Sequence, residues 1–148
     1  MQSHTLEKYY GRLKVFKRHG LDLVKTRYFV LEKSGIGKSD SVLEVGTGKG
    51  HAAITMARKK INVTTIDIDK ESLHIARNNL KAFELLRYVT IKRMNAERLN
   101  YPTGRFDYVI SVNFIHHAKR PYLCIKEMLR VAGKGVVIAD FNKQGEEL

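Results

Sequence analysis

The segment Val42-Leu43-Glu44-Val45-Gly46-Thr47-Gly48-Lys49-Gly50 constrains this chain more than any other. A short apolar run empties into three glycines at alternate positions, and a helical pattern over residues 52–60 follows. Glycine lets a backbone turn tightly and lets a ligand approach it closely. A buried strand leading through such a turn into a helix is the ligand-facing corner of an open α/β sheet. The turn by itself does not choose among the nucleotides and cofactors that use it.

The remainder of the chain agrees with that architecture. Further β-branched runs at 63–66, 89–93, 108–111 and 135–139 join 41–45 as strand candidates. They read as near-continuous apolar stretches, the pattern of strands covered on both faces. Asp69 can cap a helix in which Leu73, Ala76, Leu80 and Phe83 recur at helical spacing. Pro121 suits the first turn of another, whose apolar face holds Tyr122, Ile125 and Leu129. Residues 4–18 and 21–33 predict two helices ahead of the first strand. The expected fold is α/β: a Rossmann-like, doubly wound, mainly parallel sheet of about five strands with two N-terminal helices.

Composition narrows the class of partner. At 148 residues the chain suits one domain with a real core. Its single cysteine, Cys124, excludes an internal disulfide or a Cys-based zinc site and reads as a small buried hydrophobe. No apolar run reaches the length of a membrane span, and the polar start lacks the pattern of a signal peptide, so a cytoplasmic protein is expected. The net charge of +12 permits nucleic acid or anionic ligands without selecting either.

Two details of the glycine turn carry chemistry. The dinucleotide fingerprint needs its third glycine at position 51, which is His51; here it is Gly50. Glu44 stands two residues before Gly46, where a carboxylate repels a pyrophosphate and attracts an ammonium or sulfonium group. The segment resembles motif I of the class I S-adenosylmethionine-dependent methyltransferases, and the likeness continues in order from about residue 40 to 140. The resemblance implies S-adenosylmethionine as cofactor and methyl transfer as activity. It implies that Gly46, Gly48 and Gly50 shape the turn and that Glu44 faces the methionine moiety. Asp67 is implied to hold the ribose, with Ile68 against the adenine. Asn95-Ala96 stands where the family usually has Asp-Ala at the adenine amino group; the asparagine departs from that acid but keeps an acceptor oxygen. Asn113 opens the loop beside the expected methyl group, and His116 or His117 on that loop is the candidate base for a protic acceptor.

Other motifs read as structural. Gly35-Ile-Gly37-Lys38-Ser39 ends like a P-loop, yet Glu32 stands where its first glycine belongs. Asp67-x-Asp69 is better explained as ribose acid plus helix cap than as a metal site. His116 and His117, adjacent in sequence, are expected to point in different directions, and no metal is expected. Asp107 and the Glu127/Arg130 pair, spaced i, i+3, are read as structural.

The family's full sheet has seven strands, the last two an antiparallel hairpin, and nine residues follow Ala139. The hairpin is therefore expected to be absent, leaving an apolar edge on the fifth strand. A fragment of a longer protein, or an assembly such as a homo-oligomer covering that edge, is expected. Residues 1–38 carry nine basic and three acidic residues among five aromatics and divide from a cofactor-binding core at 39–148. They fit a lid over the cofactor, a solvated lysine face, or a nucleic-acid surface. The acceptor is expected to be a small molecule, with RNA or a non-catalytic cofactor-binding role as alternatives. The loop after the fourth strand lacks the Asn/Asp-Pro-Pro-Tyr pattern of amine and amide methylation.

Overall fold

The computed structural model describes residues 2–142. Two helices, α1 (Gln2–Arg18) and α2 (Leu23–Ser34), precede an alternation of β1 (Val42–Val45), α3 (His51–Arg58), β2 (Val63–Asp67), α4 (Lys70–Ala82), β3 (Val89–Arg93), β4 (Phe106–Val112), α5 (Pro121–Val131) and β5 (Ala132–Ala139). The five strands form one sheet in the order β3-β2-β1-β4-β5, and every pairing is parallel. The chain winds outward from β1 to β3 and then returns to the other side of β1. This reversal opens a crevice at the strands' carboxyl ends, where such sheets place ligands.

Alternation along β1 sorts the core into two layers. Val42 packs with Ile54, Met56, Leu80 and the helices α1 and α2 through Tyr9, Leu13, Leu23 and Leu31. Leu43 and Val45 point the other way, onto Cys124, Met128 and Val131 of α5. Glu44 therefore shares the face of Val42, although it is a carboxylic acid with only 1% of its surface exposed. Cys124 is a buried free thiol in the second layer, as its surroundings in the sequence suggest.

The edges correct one expectation. β3 and β5, the two edge strands, are half-exposed rather than covered on both faces. Ile138 of β5 is one of the exposed large hydrophobic residues. β5 also begins three residues earlier than its apolar run, since Ala132 pairs with Phe106 before a register shift. Asp22 and Asp69 cap α2 and α4 by accepting from the backbone N–H groups of Lys25 and Ser72. Asp107 accepts from the backbone N–H of Ser41, and Arg130 joins Glu127 to the carbonyls of Leu99 and Tyr101. These groups hold loops to the sheet. No described helix is long and apolar enough to cross a membrane.

Candidate functional site

The exits of β1, β2, β3 and β4 line a two-branched cleft. One branch, about 440 Å³, holds Arg12, Arg27, Glu44, Gly48, Asp67 and His116; the other, about 450 Å³, holds Met94, Asn95, Ala96, Glu97 and Arg120. Gly46, Asp67, Ile68, Phe114 and His117 border both. The residues expected from sequence to bind one cofactor thus meet in one place, with the exception of Gly50, which lies behind the wall.

Each glycine has its own reason. Gly46 has φ +90, and a Cβ there would lie 2.4 Å from Cγ of Phe114, so the ring rests on bare backbone. Gly48 has φ +50 and open space where a Cβ would stand, which leaves its backbone accessible from the cleft. Gly50 instead permits close packing of the helix start on Ala76, where a Cβ would come within 3.1 Å.

Glu44 is set by register. β1 and β2 pair Glu44 with Thr65, so both side chains occupy one face of the sheet as neighbours. The Thr65 hydroxyl donates to Glu44 Oε2 at 2.7 Å, and the Thr47 and Thr65 hydroxyls lie 2.6 Å apart. Burial pushes the Glu44 carboxyl up to about 8, against the opposing effects of the Thr65 hydrogen bond and Arg27. Sequence reading missed Thr65, although the strand register contains it.

Arg27, on α2, was also missed. Arg27 is 8% exposed and lines the same branch as Glu44, yet it makes no salt bridge among the described residues. Burial lowers its pKa, with Tyr9 and Glu44 acting in opposition. A buried guanidinium without a carboxylate partner is expensive unless an anion arrives. Glu44 and Arg27 together present an acid and a base to one cavity, the complement of an α-amino acid's ammonium and carboxylate. His51 sits beside them, its ring 4.8 Å from that of Tyr9 and its Nδ1 buried without a hydrogen-bond partner. Burial, with Arg27, Arg12 and Lys49 adding repulsion, brings its pKa down to about 3, so the ring is neutral.

Asp67 ends β2. Its Oδ2 accepts from the Gly48 N–H at 2.9 Å and its Oδ1 from the Asp69 N–H at 3.0 Å. Each oxygen keeps a second lone pair for a ligand hydroxyl. Ile68 is 58% exposed and borders the second branch, a flat apolar surface suited to a base. Asn95 lines that branch too, with Oδ1 accepting from the Glu97 N–H at 2.9 Å, and Ala96 is buried beside it. These groups fit an adenosine with an amino-acid tail.

The loop after β4 brings a further arrangement. Asn113 adopts φ +56 and its N–H donates to Ala139. His116 and His117 do not diverge, as adjacency suggested: one 3-10 turn over Ile115–His117 places their ring centroids 3.9 Å apart. Asp140, at the exit of β5, accepts from the His116 N–H through Oδ2 at 3.0 Å, and its Oδ1 meets His116 Nδ1. Among the described residues no group of three or more His, Cys, Asp or Glu could hold a metal ion.

Residues 43–139 match the model of a methyltransferase domain. Ajmaline N-methyltransferase of Rauvolfia serpentina is 34% identical over 102 residues, which cover 68% of this chain and 35% of that protein. A SAM dependent methyltransferase from Aquifex aeolicus superposes with a TM-score of 0.71 at 24% identity, covering 79% of this chain and 64% of the other. The cyclase SpnF superposes at 0.70 with 26% identity, covering 75% and 41%. This chain therefore spans between about a third and two thirds of the length of these proteins.

Proposed function

The chain belongs to the methyltransferase domain family, and from that premise we propose that it binds S-adenosylmethionine and transfers its methyl group to a small-molecule acceptor. The observation that carries the reading is that buried Arg27, which makes no salt bridge among the described residues, and buried Glu44 line one cavity. Arg27 would take the carboxylate of the cofactor's amino-acid end and Glu44 its ammonium. Asp67 would accept the ribose hydroxyls, while Ile68, Asn95 and Ala96 would receive the adenine. Bound there, the cofactor supplies an electrophilic methyl group. The protein's own work is to align an acceptor with that group and to exclude water.

Support for a small acceptor comes from the cavity itself. Beside the proposed cofactor residues it presents Leu13, Phe16, Leu23, Val112, Phe114 and Phe141, an apolar stretch of wall that suits a small, largely apolar molecule. Residues 1–38 act in this reading as a lid, since α1 and α2 contribute Arg12, Leu13, Phe16, Leu23 and Arg27 to the walls. The SpnF likeness makes a non-methylating reaction on the same fold the competing reading.

The test is incubation with methyl-labelled S-adenosylmethionine, a metabolite extract and total RNA at low salt. Label in the small-molecule fraction is expected. Label confined to RNA contradicts the acceptor class, and no label in either fraction contradicts methyl transfer.

A further inference from the structure

We infer that Asp140 positions His116 as the general base for an acceptor whose reacting atom is a hydroxyl oxygen on a largely apolar small molecule. The inference rests on the methyl-transfer reading of the same cleft.

Adjacent strands build the pair. β4 and β5 run in register to Val112 and Ala139, and the Asn113 N–H donates to the Ala139 carbonyl at 2.8 Å, so both chains leave the sheet side by side. Asp140 then holds His116 twice, at the backbone N–H and at ring Nδ1. An ionised carboxylate only accepts hydrogen bonds, so the proton of the neutral ring resides on Nδ1. The bare lone pair is left on Nε2, which has no hydrogen-bond partner among the described residues. The ring itself lines the same cavity as Glu44 and Asp67. A histidine oriented by an acid at one nitrogen and open at the other is the arrangement of a general base. His117 packs on His116 but has no carboxylate partner among the described residues, which separates two histidines that sequence could not.

The surroundings choose the acceptor. Phe141 lies 5.6 Å from the His116 ring, and Phe16, Val112 and Phe114 line the cavity with it. A neutral amine already offers its lone pair, whereas an alcohol or phenol near neutral pH needs its proton removed as it attacks. In the step, the acceptor oxygen bonds to the methyl carbon while the carbon–sulfur bond breaks and its electron pair stays on sulfur, which becomes a neutral thioether. The hydroxyl proton passes to His116 Nε2, and the resulting imidazolium is balanced by the Asp140 carboxylate until solvent takes the proton.

The experiment has two arms, both on the protein bound to S-adenosylhomocysteine or its methylated parent. In the first, long-range 1H–15N correlation reads the tautomer of neutral His116, assigned with His116→Gln. The Nδ1–H tautomer is expected in the wild type and a mixture in Asp140→Asn, with calorimetric affinity for S-adenosylhomocysteine within twofold. An Nε2–H tautomer, or no change in Asp140→Asn, overturns the pairing. In the second, methyl-labelled cofactor is offered with size-matched phenols, alcohols and amines. Transfer to hydroxyls is expected, with kcat at least tenfold lower in His116→Gln and Asp140→Asn and the cofactor KM little changed. Transfer to amines alone, transfer undiminished in His116→Gln, or no transfer to any hydroxyl overturns the assignment. Loss of S-adenosylhomocysteine binding by the wild type would instead remove the methyltransferase reading, so the two failures are distinguishable.

Discussion

The Thr65 hydroxyl donates to Glu44 Oε2 at 2.7 Å inside a wall where Glu44 is 1% exposed. One hydroxyl does not replace the hydration of a carboxylate, and burial leaves the acid with a pKa of about 8. Near neutral pH the ligand-free site therefore stores a proton at the position assigned to an ammonium group.

Glu44 gives the ligand-free protein an alkaline weakness. Its folded pKa lies above the ordinary value of 4.5, so the folded state binds more protons between pH 4.5 and about 8. Stability falls as pH rises through that window. Glu44→Gln should remove this limb, with a Tm at pH 9 about 5 °C or more above wild type. Binding of S-adenosylhomocysteine at pH 7 should release close to one proton in wild type, read from the buffer dependence of the calorimetric enthalpy, and none in Glu44→Gln. Equal release in both proteins would contradict the assignment of the ammonium to Glu44.

His51 gives the opposite limb. Its folded pKa of about 3 lies below the ordinary 6.5, so the unfolded state binds the additional proton between those values. Stability is lost as pH falls from 6.5 toward 3. Differential scanning fluorimetry should show a smaller drop in Tm between pH 7 and pH 5 for His51→Phe, which keeps a ring against Tyr9, than for wild type. An identical drop would place the acid sensitivity elsewhere.

Gly46 and Gly48 should separate folding from binding. Gly46→Ala drives a Cβ to 2.4 Å from Phe114 at φ +90 and should cost about 3 kcal/mol or more in urea unfolding. Adding Phe114→Ala should recover part of that loss. Gly48→Ala meets open space and should cost about 1 kcal/mol from its positive φ, while weakening S-adenosylhomocysteine binding at least tenfold. Equal effects on stability would contradict the distinct roles given to the two positions.

The architecture was legible because β-branched runs and helical spacing agree along most of the chain. Val63, Val89 and the cap at Asp69 fall where those patterns put them. The proposed cofactor residues were legible as one motif family: Glu44, Asp67, Ile68 and Asn95 reach one cleft because all lie at strand exits or just before them. What escaped needed the third dimension. Arg27 reads in sequence as one more base on a lysine-rich helix, and only the packing of α2 beside β1's ligand face makes it a buried cation. Thr65 required the β1–β2 register, and Asp140 required β4 and β5 to end together, 24 residues after His116. The stacked histidines needed a 3-10 turn that periodicity does not announce.

The central claim is that one cleft holds an adenosine with an amino-acid tail, and Asp67 is where that claim is most exposed. Calorimetric titration with S-adenosylhomocysteine should give one site in the wild type. Asp67→Asn keeps an acceptor for the Gly48 N–H but loses the doubly accepting carboxylate, and should bind at least tenfold more weakly with its Tm little changed. Absence of heat from the folded wild type at millimolar ligand, or equal affinity in both proteins, would contradict the account.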